Sequence, residues 1–173
     1  MTTIDTPRLH LRPWNDMDAP ELYELGRDPR IGMLCGWKPF ECIDDAHEAL
    51  STVLAAPDSY AVTLASTGEL VGSIALRIDA DTADSTVADI GYWIGAPYWG
   101  NGYATEAGHA IIERARELGV STIILTYFDG NEASRRVSEK LGFAWRSREE
   151  GLEYPLIGQR LTVHRTELTL TAR

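Results

Sequence analysis

The chain has 173 residues, 44% hydrophobic and 24% charged, which fits one globular domain with its own core and no need of metal or disulfide staples. A formal net charge of −10 argues against nucleic-acid binding and suits a cationic partner, or simply solubility. No apolar run approaches the ~18–20 residues of a membrane span, and Met1 to Pro7 hold neither a basic region nor an apolar stretch, so a cytoplasmic protein without a secretory signal is expected.

Arg8 to Arg12 alternates polar and apolar residues and predicts a strand ended by Pro13. Asn15 or Asp16 is placed to cap a helix carrying Leu22, Tyr23 and Leu25, which Asp28-Pro29 breaks. Ile31 to Phe40, with Gly32, Gly36, Trp37 and Pro39, reads as a loop, and a second helix is expected from about Asp44 to Leu54. A disulfide between Cys35 and Cys42 would close a short loop and stabilise little, so two reduced thiols are expected. No CxxC pair or Cys/His cluster has metal-ligand spacing, and His10, His47, His109 and His164 are scattered, so no metal is expected.

Strands follow at Tyr60 to Leu64 and Leu70 to Ile78 around the turn Ser66-Thr67-Gly68, and again at Thr86 to Ile94 after a polar connection, Asp79 to Ser85. Neighbouring strands of this kind suggest an antiparallel meander. Beyond Pro97 the period changes. Ala104, Ala107, Ile111, Ala115 and Leu118 recur at three and four residues, the mark of a helix with one buried face, stopped at Gly119. Ser121 to Phe128 is a β-prone run; Ala133, Val137 and Leu141 mark a shorter helix ended by Gly142; Phe143 to Arg146 and Leu161 to Leu170 read as closing strands. A strand-helix-strand crossover favours parallel pairing. The expected fold class is α/β: one domain over residues 1–173, with a mixed, mostly antiparallel central sheet flanked by helices.

Gly100-Asn101-Gly102 follows a strand and opens a helix. A helix N-terminus presents free N–H groups and partial positive charge, and glycine lets an anion approach the backbone. The alternative is a tight connection and nothing more. No GxxxxGK[ST] and no GxGxxG is present, so neither a P-loop nor a dinucleotide fold is indicated.

Pro97-Tyr98-Trp99-Gly100-Asn101-Gly102-Tyr103-Ala104-Thr105-Glu106-Ala107 resembles the acetyl-CoA pyrophosphate motif of the GNAT superfamily of N-acetyltransferases. Trp99 stands where the wider superfamily has Gln or Arg, and this is similar to the branch of ribosomal-protein N-terminal acetyltransferases, the RimJ/RimL type. Thr6 to Pro13, Asp89 to Ile94 and Asn131 to Phe143 are similar to that branch's first strand, its strand before the motif and its late helix, in the same order.

The resemblance implies acetyl-CoA as co-substrate and a GNAT-like domain. Backbone N–H groups from about Trp99 through Gly100, Asn101, Gly102, Tyr103 and Ala104 to Thr105 would hold the pyrophosphate. The strand end at Trp93-Ile94 would pair with the pantetheine arm like an added strand. Asn131 would reach pantetheine, or else cap the late helix. Arg135, or its neighbour Arg136, would meet the 3′-phosphate, unless it is only solvated. Relatives are often homodimers, though no feature here forces one.

The implied reaction is attack of a neutral amine on a thioester. A lysine-like amine has a pKa near 10.4 and an α-amine near 8, so a general base is useful, directly or through water. Asp89, among Val87, Ala88 and Ile90, is the candidate base; its alternative is an outward position on an alternating strand. Glu106 is a weaker candidate, since an acid suits the first turn of a helix anyway. A strand-end N–H would stabilise the oxyanion. Ser138 occupies the late-helix position where many relatives carry the Tyr acid, with Tyr92, Tyr103 and Tyr127 as substitutes. Trp37, Phe40 and Tyr154, in Met33 to Phe40 and Glu149 to Arg160, would wall the acceptor if they do not simply pack; Glu149, Glu150 and Glu153 would greet a cation. The acceptor is a primary amine, with a protein N-terminal α-amine first, a polyamine or antibiotic second, and a non-catalytic acyl-CoA sensor as the reading outside enzymes.

Overall fold

In the computed structural model, residues 2–78 and 86–171 are described; the connection expected at Asp79 to Ser85 lies outside them. The chain enters on a two-residue strand, β1 (Ile4–Asp5), which the sequence pattern did not mark, and pairs it antiparallel with β2 (Leu9–Pro13). Asn15 caps a 3-10 turn, Asp16–Asp18: its side chain accepts from the Met17 N–H, and the Asp18 carboxylate accepts from its own N–H. Arg12 holds Asp18 through two hydrogen bonds of 2.8 and 2.7 Å, tying β2 to the start of α1 (Ala19–Gly26).

Asp28-Pro29 ends α1, as expected, but it also starts another helix, α2 (Pro29–Cys35). Asp28 accepts from the Arg30 N–H at 2.9 Å, Pro29 stands in the first turn, and Gly36 closes the helix at φ +81°. The expected loop from Ile31 is therefore helical through Cys35. Then come α3 (Ile43–Ser51), β3 (Ser59–Leu64), β4 (Leu70–Ile78) and β5 (Val87–Ile94); β3 to β5 form the expected antiparallel meander, and β2 extends it by pairing antiparallel with β3.

A short 3-10 turn, Ala96–Tyr98, leads to α4 (Tyr103–Glu117), β6 (Thr122–Phe128), α5 (Glu132–Lys140), β7 (Ala144–Tyr154) and β8 (Gln159–Thr169). The eight-stranded sheet has the order β1-β2-β3-β4-β5-β6-β8-β7. The crossover through α4 makes β6 parallel to β5. The crossover through α5 does not repeat this, because β8 takes the place beside β6 and leaves β7 outermost, antiparallel to β8. β7 was expected to end at Arg146, yet it runs to Tyr154, so most of the loop expected at Glu149 to Arg160 is strand and turn. Its side chains are nearly all exposed, so no burial alternation marks it; the ladder to β8 carries it.

Successive residues of a strand face opposite sides. On one face of the sheet Leu9, Leu11, Tyr60, Val62, Ile74, Ile90, Ile123 and Leu125 bury against Ala107, Ile111 and Ala115 of α4. Leu141 packs on α4 so closely that a Cβ on Gly108 would stand 2.6 Å from it, which places α5 on this side too. On the other face Ala61 and Leu70 bury against Ala19 and Leu22 of α1 and Ala46 and Leu50 of α3.

Glu106, in the first turn of α4, accepts from Thr6 Oγ1 at 2.7 Å, Arg8 N–H at 2.8 Å and Arg8 Nε at 2.7 Å. It therefore ties the N-terminal segment to the helix and does not face the cleft. Burial works against its charge, but these hydrogen bonds outweigh it and the carboxyl lies below its ordinary 4.5. A lowered folded value means stability that is complete above 4.5 and is lost as pH falls through the folded value. Glu106→Ala is expected to destabilise by about 1–3 kcal/mol at pH 7, since it strands three donors. Urea unfolding should show that loss shrinking as pH falls below 4.5.

Candidate active site

The parallel ladder of β5 and β6 runs only from Val87–Thr122 to Ile90–Leu125. Beyond it Gly91 to Ile94 keep β4 on one side, Thr126 to Phe128 keep β8 on the other, and the two strands part. A cleft of about 1090 Å³ opens there. Its lining includes both sides of the sheet: Arg30, Ile31, Leu34 to Glu41 and Glu48 on one, Trp99, Gly100, Gly102 to Thr105 and the α5 face on the other.

In an antiparallel pair, hydrogen-bonded and outward-pointing residues alternate. Gly95 N–H donates to Val71 at 2.8 Å, so Trp93 and Gly91 also turn their amides to β4, while Tyr92 and Ile94 turn theirs into the gap. Of the expected pair Trp93-Ile94, only Ile94 thus offers its N–H; its carbonyl accepts from Trp99 Nε1 at 2.6 Å. Trp93 contributes its side chain instead, edge-on to Trp37 at 6.4 Å on the far face of the sheet.

Gly100 and Gly102 both have φ +81°, which favours glycine, and a Cβ on Gly100 would meet nothing within 4 Å. Asn101 turns away: its side chain donates to the carbonyls of Tyr98 and Trp99, and its carbonyl accepts from Arg8. It braces the turn and does not line the cleft, whereas Trp99, Gly100, Gly102, Tyr103, Ala104 and Thr105 do. The first N–H groups of the 15-residue α4 are therefore exposed in the cleft, an arrangement that fits a phosphate.

On α5, Asn131 is both cap and cleft residue: Oδ1 accepts from the Ser134 N–H at 3.1 Å. Ser138 is 1% exposed, its hydroxyl donates to the Arg135 carbonyl at 2.8 Å, and it does not line the cleft. Arg135 also lies outside the lining, paired with Glu132 and Glu139. The residues that face the cleft are Ala133, Ser134, Arg136, Val137 and Lys140. At about 100° per residue, Arg136 and Lys140 fall with Ala133 and Val137 while Arg135 falls opposite. That wheel was the signal available in the sequence for the two cations, and for Ser134 there was only its place three residues after the cap.

Asp89 lines the cleft on the face of α1 to α3, its side chain 39% exposed and 3.3 Å from Arg77 Nη2. Burial raises its carboxyl above the ordinary 3.8, and the charges of Arg77 and Arg165 pull it back only in part. Tyr92 lies on the opposite face, its hydroxyl donating to Ser134 Oγ at 3.0 Å, and burial pushes it up to about 12. Cys35 is exposed as a residue, yet its thiol turns inward, 4.0 Å from the Tyr92 carbonyl, and burial raises it to about 12. Trp37 and Phe40, with rings 5.3 Å apart, wall the near side, and Tyr154, edge-on to Phe128 at 4.7 Å, walls the side of β7. Tyr103 and Tyr127 also line it, whereas Glu149, Glu150 and Glu153 do not. Both cysteines are free, no group of three metal-ligating side chains converges among the described residues, and no described helix is long and apolar enough to cross a membrane.

A family model described as an acetyltransferase (GNAT) domain matches residues 8–144. The uncharacterised N-acetyltransferase YoaA of Bacillus subtilis is 30% identical over 146 residues, 81% of each chain. A crystal structure of a GNAT-family acetyltransferase from Bacillus anthracis superposes with a TM-score of 0.86 at 22% identity, covering 97% of this chain and 98% of the other. The microcin C7 self-immunity acetyltransferase MccE, solved with acetyl-CoA and AMP, has the same fold: TM-score 0.81 at 20% identity, covering 95% of this chain and 94% of that one.

Proposed function

The chain belongs to the GNAT acetyltransferase family and takes acetyl groups from acetyl-CoA, and from that premise we propose that it acetylates a primary amine, with Asp89 as general base and the Tyr92–Ser134 pair beside the leaving sulfur. The observation that carries this reading is the gap itself. Asp89 and Tyr92 stand on opposite faces of β5, and the strand parts from β6 directly beyond Ile90. An amine entering from the α1–α3 side and a thioester entering from the α4–α5 side would meet there, with a base on one side and a proton donor on the other.

Acetyl-CoA, when bound, supplies the activated acetyl thioester. The residues present fit it: the open turn at Gly100 and Gly102, the α4 N–H groups, the outward amides of Tyr92 and Ile94, and Arg136 and Lys140, which line the cleft on α5. The backbone groups would hold the pyrophosphate and pantetheine, and the two cations the phosphates. Asp89 accepts the amine's proton at a carboxylate oxygen, directly or through water. The Tyr92 or Ile94 N–H, fixed before the reaction, faces the charge that develops on the carbonyl oxygen. Tyr92, held protonated by burial, then hydrogen-bonds the departing sulfur.

The acceptor is best read as an α-amine, such as a protein N-terminus, in keeping with the RimJ/RimL-type resemblance of Trp99 and its neighbours. A carboxylate is a weak base even where burial raises it, which suits an amine of pKa near 8 better than one near 10.4. A cytoplasmic location follows from the same reading. Thiol release with acetyl-CoA and a panel of free-N-terminal peptides, polyamines and aminoglycosides tests it. Turnover of peptides supports the α-amine, turnover of polyamines or aminoglycosides alone replaces it, and tight CoA binding with no turnover on any acceptor overturns the enzyme reading. Tyr92→Phe is expected to lower kcat about 100-fold, with acetyl-CoA affinity by calorimetry nearly unchanged.

A further inference from the structure

We propose that Arg77 is a positioning residue for Asp89, admitted to its place by the missing side chain of Gly91. The inference rests on the base role given to Asp89 above. The register of β4 and β5 sets Arg77 opposite Asp89, and Ala75 opposite Gly91. A Cβ on Gly91 would stand 2.3 Å from Arg77 Nη2 and 3.1 Å from its Cζ. The guanidinium therefore lies across the space a side chain at Gly91 would fill. Gly91 is not among the glycines with positive φ, so backbone conformation does not require a glycine there. What the glycine provides is room.

Arg77 is otherwise exposed, and among the described residues its one ion-pair partner is Asp89. An arginine that would wave in solvent is instead laid flat on β5, with one nitrogen on Asp89 Oδ1. Oδ2 has no hydrogen-bond partner among the described residues and is left for the amine or its water. A cation at this spot has two effects. It favours the ionised carboxylate against the cost of burial, and it disfavours an ammonium at the same carboxylate, so the neutral, reactive amine is selected. Among the described residues, the other charged and titratable groups that face Asp89 are Arg165 on β8 and Tyr154 on β7; from β6 it meets Ile124, which has no charge.

The test is a carbon-13 titration of the Asp89 carboxyl, assigned by its loss in Asp89→Asn, in the wild type, Arg77→Met, Arg77→Lys and Gly91→Ala. The midpoint is expected to rise in Arg77→Met and in Gly91→Ala, whose new methyl displaces only the far end of a flexible side chain, and to return toward the wild type in Arg77→Lys. With a peptide bearing a free N-terminal alanine as acceptor, the acid limb of kcat/KM should move up in the same two variants, about tenfold in rate on the acid side for each unit moved. Unmoved midpoints in both Arg77→Met and Gly91→Ala overturn the inference, and Arg77→Met, altered at an exposed residue, decides should Gly91→Ala not fold. Asp89→Asn separates the two claims. Full turnover in that variant overturns the base role and this inference with it; loss of turnover there, with unmoved midpoints in Arg77→Met, overturns this inference alone.

Discussion

Asp89→Asn is expected to lower kcat by about 10²–10⁴-fold while leaving acetyl-CoA binding intact. The change keeps the shape and removes the proton acceptor, so the cradle at Gly100 and Gly102, on the other side of the sheet, is untouched. The same substitution has a stability signature that a mere packing residue would lack. The folded carboxyl is raised above its ordinary 3.8, so the folded chain binds that proton more tightly than the unfolded one. Stability from this group is then highest below 3.8 and declines as pH rises toward the folded value. At neutral pH the charge at Asp89 is a burden on the folded state, softened by its partial exposure and by Arg77. The variant should therefore melt no lower than the wild type at pH 7, and the two should converge as pH falls through that window. Steady-state kinetics with thermal unfolding at several pH values reads both effects. Undiminished kcat would remove Asp89 from the chemistry.

Gly102→Val is expected to weaken acetyl-CoA binding about 100-fold, with kcat at saturation changed much less. Gly102 caps α4 at φ +81°, a conformation that costs a β-branched residue about 1–3 kcal/mol. Its Cβ would meet only Arg8 Nη2, at 3.6 Å, so backbone strain and not a clash is what the valine brings. Relief comes by turning the peptide groups that follow, and those are the N–H groups of Tyr103, Ala104 and Thr105 that line the cleft. A loss of about 2.7 kcal/mol in binding is the 100-fold named. Gly119 gives the control: φ is +77°, nothing lies within 4 Å of its Cβ position, and it lines no part of the cleft. Gly119→Val should lower the melting temperature by a similar amount, about 2–4 °C per kcal/mol, and leave calorimetric affinity for acetyl-CoA alone. Equal affinity in Gly102→Val and the wild type would dismiss the cradle.

Much of the fold was legible because its signals are local. The runs of β3 and β4 on either side of the turn at Ser66-Thr67-Gly68, the run of β5 and the three-four spacing of α4 are such signals, and all were read to within a residue or two. α2 was missed because Asp28-Pro29 is a stop for the helix before it and a start for the helix after it. The length of β7 was missed because an outer strand with exposed side chains leaves no apolar alternation behind. Within the site, Ser138 and Arg135 were chosen by position in a motif. Rotation about the α5 axis carries Ser138 into the core and Arg135 to solvent, and brings Ser134, Arg136 and Lys140 to the cleft.

By itself, then, the sequence determined the turn at Gly100-Asn101-Gly102 and the helix behind it, because φ values and free N–H groups are set by contiguous residues. Only the tertiary structure decided what meets what. Asp89 finds Arg77 through the β4–β5 register, Tyr92 finds Ser134 through the docking of α5, and the gap between them exists because β8 holds β6 away from β5 beyond Leu125. Each is a contact between segments far apart in the chain, fixed by strand pairing and helix packing that no local pattern encodes.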